Sequence, residues 1–192
     1  MSTHATTSRA PLVQATRLKV LLTRQQIAAR VAEMGAEITR DFQGESLILV
    51  GVLKGASLFL GDLARNIALD ATFDFLGVSS YGDGTQNSGE VRLTKDVDQS
   101  MEGRNVILVE DIFDTGLTLN YLKNVMLAHQ PHALKIAALL DKPARRLQPI
   151  EVDYVGFQIP NEFVVGYGMD YAEHYRNLPD IRILPLEAFQ AG

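Results

Sequence analysis

The chain has 192 residues, a length that suggests one domain, and its 46% hydrophobic and 21% charged residues exclude a disordered, collagen-like or fibrous polymer. Eighteen basic against 23 acidic residues give a net charge of -5, which argues against a general nucleic-acid binder, and the lack of cysteine removes disulfides, thiolate metal sites and cysteine nucleophiles. Four scattered histidines offer little for a metal cage, and the longest apolar run, Leu47–Leu53, is far short of the roughly 20 residues of a membrane-spanning helix, so a soluble protein is expected.

Residues 1–20 contain no acid and faintly resemble an organellar transit peptide, but no apolar signal core follows, and they read as a flexible tail. Thr23 with Gln26 three residues on forms a capping-box pattern, and Ile27, Val31, Met34 and Ile38 recur at helical spacing, which predicts a helix over about 23–42. Leu47–Leu53 reads as a buried strand, followed by the turn Lys54-Gly55-Ala56 and a helix over about 57–67. The aromatic run around Phe73 and Phe75 predicts a strand through about Ser79. The polar segment Tyr81–Gly89, with three glycines, reads as an exposed loop.

Val91 and Leu93 alternate with polar neighbours, as in an antiparallel return strand. Asn105–Val109 is a second buried strand, Leu117–Gln130 a helix closed by Pro131, and Leu134–Leu140 a third strand, joined by the helical crossover of a parallel sheet. Beyond it, Tyr154–Ile159 and Phe163–Tyr167 read as short strands of a proline-punctuated flap. The chemistry concentrates in the run from Val106 through Glu110, Asp111, Asp114, Thr115 and Gly116 to Thr118. A buried strand ends in acids, a Thr-Gly turn follows, and a helix starts at once, where its free amides can cradle an anion.

Acids beside a phosphate site would repel it. A sugar phosphate resolves the conflict, because carboxylates accept from its hydroxyls, directly or through Mg²⁺, while the turn takes the phosphate. Other nucleotide motifs fit less well. Leu117 stands where a Walker loop needs Lys, and Gly82, Gly84 and Gly89 are misplaced for a dinucleotide fingerprint. Asp111 and Asp114 lack the spacing of aspartyl-phosphate phosphatases, and no Gly-x-Ser-x-Gly elbow occurs.

The Val109–Thr118 segment resembles the phosphoribosyl-pyrophosphate signature of type I phosphoribosyltransferases. The chain from about Thr23 to Pro185 resembles their hypoxanthine-guanine branch, bacterial type. Four blocks in order carry the resemblance: Gly51–Ser57, Ser79–Tyr81, Val109–Thr118, and Phe163–Asp170 through Arg176. It implies an α/β fold with a central, mainly parallel sheet flanked by helices, and a small hood formed by the terminal segments, with residues 150–185 contributing to base binding.

The resemblance further implies a Mg²⁺-dependent, cytoplasmic purine-salvage enzyme, a homodimer or homotetramer acting on phosphoribosyl pyrophosphate and 6-oxopurine bases, without nucleic-acid or membrane partners. Glu110 and Asp111 would hold the ribose hydroxyls, with Asp111 reaching Mg²⁺ through water. Asp114 would accept the proton at purine N7. Thr115, Gly116, Leu117 and Thr118 would bind the 5-phosphate through backbone amides and hydroxyls. Lys54 and Gly55, after a cis peptide, would meet pyrophosphate, as would Arg176, with Asp170 on Mg²⁺.

Lys142 would donate to the 6-oxo group, Phe163 would stack on the base, and Val164 would meet its exocyclic edge. The loop from Ser80 and Tyr81 would close as a lid. Without the resemblance, Lys54 and Lys142 read as exposed lysines after strands and Phe163 as core. His129 and His132 read as surface residues, and Arg145-Arg146 as a solvated loop pair or a subunit contact. Two further readings are a non-catalytic regulator or RNA-binding module on the same fold, and a phosphoribosyltransferase for adenine or a pyrimidine.

Overall fold

In the computed structural model, which describes residues 14–80 and 91–185, the elements begin with β1 (Lys19–Leu22), α1 (Arg24–Asp41), β2 (Leu47–Leu53), α2 (Ser57–Arg65) and β3 (Ala71–Ser80). They continue with β4 (Val91–Lys95), β5 (Asn105–Phe113), α3 (Leu117–Ala128), β6 (Ala133–Asp141), β7 (Tyr154–Gln158), β8 (Val164–Val165) and β9 (Ile181–Ile183). A six-stranded sheet runs in the order β4-β3-β2-β5-β6-β7 and is parallel except at β4, and a small antiparallel sheet runs β1-β9-β8. None of the described helices is long and apolar enough to cross a membrane.

Strand periodicity divides the apolar residues between two layers. Leu47, Leu49, Ile107 and Val109 face Ile27, Val31, Met34 and Ile38 of α1 and Phe59, Leu60 and Leu63 of α2. Their alternate neighbours Ile48, Val50, Val106 and Leu108 face Leu119, Leu122 and Met126 of α3. Burial on both faces is why β2 and β5 read as unbroken apolar runs. Helix α1 starts as its sequence predicts: Gln26 N donates to Thr23 Oγ1 at 3.3 Å and Thr23 N to Gln26 Oε1 at 2.9 Å.

Three expectations need correction. Part of the segment read as a tail belongs to the fold, since Ala15–Arg17 form a 3₁₀ turn, Leu18 is buried and Lys19 pairs with Ile183. Strand β5 passes beyond Val109 to Phe113, because its backbone keeps pairing with β6 as far as Asp141, and the acids lie within the strand rather than after it. Tyr154–Gln158 joins the main sheet in parallel with β6 instead of the flap. The connection over 142–153 holds only a 3₁₀ turn, so the helix that usually marks a parallel crossover is missing from the sequence.

The new edge strand β7 is capped by α1: Arg30 donates to the Val155 carbonyl at 2.9 Å and to the Gly156 carbonyl at 3.2 Å. At the other end of the sheet, the buried Asp74 of β3 organises the approach to β5. It accepts from the amides of Phe75 at 2.7 Å, Asp98 at 2.8 Å and Gln99 at 3.1 Å, with Lys95 Nζ at 3.7 Å. Burial opposes its charge, but the three amides and Lys95 together hold the carboxyl below its ordinary range.

A depressed native value means this stabilisation is complete above the unfolded carboxylate range and is lost as pH falls through the native one. Asp74→Ala is therefore expected to lower stability by ~3 kcal/mol at pH 7, or about 6–12 °C in thermal midpoint, with the deficit shrinking in acid. Thermal melts of both proteins at pH 7 and pH 3 check this. An equal deficit at both would remove the charge from the explanation.

Candidate active site

Parallel strands β2, β5 and β6 end on the same side of the sheet, and the residues following them meet there. Glu110 and Asp111 stand side by side near the end of β5, with their carboxyl groups close enough to interact. Both are 9% exposed. Asp111 turns toward the loop after β2, where a Cβ on Gly55 would come within 1.7 Å of Asp111 Oδ2, so only glycine admits this approach. Burial raises the Glu110 carboxyl well above the ordinary range, and the neighbouring Asp111 charge adds to it. Burial also raises Asp111, against the opposing influence of Glu110, local amides and Arg176. Glu110 Oε2 is buried with no hydrogen-bond partner.

The turn after β5 leads directly into α3. Gly116 caps the helix with φ +88°, a conformation glycine adopts without strain, and Leu117 N lies 3.4 Å from Thr115 Oγ1. The first-turn amides have no intrahelical carbonyl to bond, and the loop after β6 braces the turn: Leu147 N and Gln148 N donate to the Thr115 carbonyl at 2.9 and 3.1 Å. The helix dipole adds partial positive charge at this point.

Beside the turn lies a cavity of about 230 Å³ lined by Asp111, Ile112, Asp114, Lys142, Arg145, Phe163, Val164, Met169 and Asp170. That is below the ~300 Å³ at which pockets for drug-sized ligands begin, a scale suited to a small ring system. Asp114 presents Oδ1, buried and unpartnered, while its Oδ2 lies 3.2 Å from Arg145 Nη1. Lys142 is 5% exposed, which corrects its reading as a surface lysine. Burial lowers the basicity of its amine, with Arg145 acting the same way and Asp114 and Glu162 opposing. Phe163 is 36% exposed, edge-on to Tyr171 at 5.9 Å, and is not core.

Of the pair read as a solvated loop, Arg145 is exposed as expected, whereas Arg146 departs from that reading. Arg146 donates to the Asp114 carbonyl at 2.8 Å, pairs with Asp141 at the end of β6, and lies over the Phe113 ring. Both arginines therefore fix the turn that carries Asp114. The signal was their position in the same post-strand turn as Lys142.

Lys54 and Arg176 come together from distant parts of the chain. The Leu53-Lys54 peptide is cis, and Lys54 Nζ lies 2.9 Å from Glu173 Oε2. Arg176 donates to the Gly168 carbonyl at 2.8 Å and lies 2.9 Å from Asp170 Oδ1 and 3.2 Å from Glu173 Oε1. The Lys54 and Arg176 contacts hold the Glu173 carboxyl below its ordinary range. Glu173 was not among the expected site residues, although it stands three positions before Arg176. Ser80 ends β3, paired with Val91, while Tyr81 and the loop expected to act as a lid lie outside the described residues. A larger cavity of about 450 Å³ between α1, α2 and Tyr167 contains none of these side chains.

Residues 18–172 match the family model for the phosphoribosyl transferase domain. A Listeria innocua protein named "Bifunctional protein TilS/HprT" is 50% identical over 171 residues, 89% of this chain, which spans 26% of that longer protein. A Streptococcus agalactiae protein named hypoxanthine-guanine phosphoribosyltransferase is 48% identical over 171 residues, 89% of this chain and 95% of that one. The crystal structure of a Bacillus anthracis hypoxanthine-guanine phosphoribosyltransferase superimposes with a TM-score of 0.84 at 49% identity, covering 88% of this chain and all of that one. Matched by the domain model over most of its length and by relatives along nearly theirs, the chain belongs to the hypoxanthine-guanine phosphoribosyltransferase family.

Proposed function

We propose that the chain transfers the 5-phosphoribosyl group of phosphoribosyl pyrophosphate to N9 of hypoxanthine or guanine, giving inosine or guanosine monophosphate and pyrophosphate. The observation that carries this reading is the convergence of the unpartnered Asp114 oxygen, the buried Lys142 and the exposed Phe163 ring on one cavity beside a helix start. The relatives' names support the same chemistry.

The 5-phosphate lies on the turn formed by Thr115, Gly116, Leu117 and Thr118, where helix amides and dipole favour an anion. Glu110 and Asp111 accept from the ribose hydroxyls. Phe163 stacks on the purine, the Val164 backbone meets its exocyclic edge, and Lys142 donates to the 6-oxo group. An amino group there would set donor against donor, a mismatch worth about 10⁴-fold or more in sites built around one hydrogen bond. The bond from ribose C1 to pyrophosphate breaks with its electron pair leaving on pyrophosphate, while the N9 lone pair forms the new bond. Asp114 accepts the proton released at N7, help typically worth ~10²–10⁴-fold. Lys54 and Arg176 receive the leaving group.

The residues also fit Mg²⁺. Glu110, Asp111 and Asp170 offer hard oxygen donors, and the orphaned Glu110 Oε2 is an acceptor in search of a partner. Among the described residues no three acids or histidines form a protein-only cage, and Mg²⁺ commonly uses one or two carboxylates with substrate phosphates and water. Bound there, Mg²⁺ supplies charge neutralisation to the pyrophosphate. Self-association as a homodimer or homotetramer, a cytoplasmic setting and closure of a lid hinged at Ser80 and Tyr81 belong to the same proposal.

Incubating the protein with Mg²⁺, phosphoribosyl pyrophosphate and each of hypoxanthine, guanine and adenine tests the reading. Nucleotide should form with the first two and not the third, and Asp114→Asn should lower kcat by about 10²–10⁴-fold. Tight phosphoribosyl pyrophosphate binding without turnover of any base would favour a regulator instead.

The buried acid pair yields a second outcome. A carboxyl raised in the native state favours folding at low pH, and this contribution is lost as pH rises from the unfolded carboxylate range through the native value. Glu110→Gln should therefore raise the thermal midpoint at pH 7.5 by about 2–4 °C while weakening phosphoribosyl pyrophosphate binding. Differential scanning calorimetry with a substrate titration measures both, and a destabilised variant would contradict the strain assigned to the pair.

A further inference from the structure

We propose that Glu173 is a built-in stand-in for pyrophosphate: its carboxylate occupies the anion position between Lys54 and Arg176 and must be displaced when the substrate's pyrophosphate binds. The inference rests on the phosphoribosyl-transfer reading and assigns that site an internal competitor.

Among the described residues, Glu173 is the one acid paired with both cations. Oε2 lies 2.9 Å from Lys54 Nζ and Oε1 3.2 Å from Arg176 Nη2, so the two carboxylate oxygens bridge a lysine from the loop after β2 and an arginine 122 positions later in the chain. Pyrophosphate offers the same chemistry, anionic oxygens spread over more than one atom, with greater charge. Arg176 has a fork suited to it, and its Nε is buried without a partner.

The backbone presents Glu173 deliberately. Tyr171 and His174 exchange hydrogen bonds at 3.1 and 2.9 Å, leaving Ala172 and Glu173 as the central residues of a tight turn with φ of +50° and +67°. Neither is glycine, although both positions call for one. Glu173 N also donates to Asp170 Oδ2 at 2.8 Å, tying the turn to the acid that flanks Arg176. The turn thus aims a carboxylate at the two cations and costs conformational strain to do so.

The contact is suited to displacement. Both Lys54 and Glu173 side chains are largely exposed, and ion pairs in water are weak. The pair can pre-position Lys54 and Arg176 and screen their mutual repulsion while yielding to a multivalent anion. An internal competitor lowers apparent affinity by the fraction of molecules in which it is seated. It therefore weakens pyrophosphate as product as much as it weakens the pyrophosphate end of the substrate, which favours release after transfer.

The test is calorimetric titration of the full chain with inorganic pyrophosphate in the presence of Mg²⁺, comparing wild type with Glu173→Gln. An exposed acid just before β5, at the opposite end of the strands, Glu102→Gln, controls for net charge. Glu173→Gln should bind pyrophosphate about two- to fivefold more tightly, matching the modest strength of an exposed pair, and Glu102→Gln should not. Inosine monophosphate, which occupies the Asp114 and Lys142 side of the site, should bind both proteins alike. The gain should shrink by more than half when Glu173→Gln is made in a Lys54→Gln background.

Unchanged or weaker pyrophosphate binding by Glu173→Gln, or an equal gain without Lys54, would overturn the stand-in role. If wild type turns over hypoxanthine and binds pyrophosphate but Glu173→Gln changes nothing, this inference alone fails. If wild type binds no pyrophosphate, the functional reading fails with it.

Discussion

Two carboxyl groups on consecutive residues of a buried strand lose their hydration and repel each other, and Glu110 and Asp111 hold that arrangement in the middle of the sheet. Much of the site is shaped to tolerate it. The loop after β2 is reduced to glycine at Gly55, because Asp111 sits where any side chain would be. Arg176, from the far end of the chain, supplies the long-range positive charge that partly offsets Asp111. The strand pays the electrostatic penalty, and the apolar layers on both of its faces hold it in place regardless. A ligand with hydroxyls to donate, or a cation, would relieve the strain.

A second layer of charge controls the turn beyond the strand. Asp114 keeps one oxygen unpartnered while Arg145 takes the other and Arg146 takes its carbonyl, and Asp141 anchors Arg146 at the end of the neighbouring strand. The consequence is orientation: the free oxygen faces the cavity and cannot rotate away without breaking the Arg145 contact. Arg145 is half exposed, but Arg146 lies over Phe113 with its side chain mostly covered, where pairing is less screened by water.

How much of this was legible in the sequence depended on the range of the interaction. Helix α1 carries its own start signal at Thr23 and Gln26, and β2 and β5 announce themselves as unbroken apolar runs, so local chemistry located them within a few residues. The acids, the Thr-Gly turn and the start of α3 follow one another within nine positions and could be read together. Strand β1 could not, because Lys19–Leu22 is a strand only by pairing with Ile181–Ile183 far along the chain. Strand β7 lacked the usual helical crossover. The Glu173 bridge depends on the loop after β2 and a left-handed turn meeting in space, and neither half carries a local sign of the other.

The guanidinium of Arg30 on β7 has a consequence beyond local packing. A sheet that ends in an open strand offers a row of carbonyls and amides to any passing extended chain, the commonest route to edge-to-edge aggregation. Arg30 occupies the carbonyls of Val155 and Gly156, and Glu33 and Glu37 surround it with charge that an incoming strand would have to strip of water. The opposite border, β4, carries Arg92 and Lys95. Both borders of the sheet thereby carry charge that opposes pairing with an incoming strand.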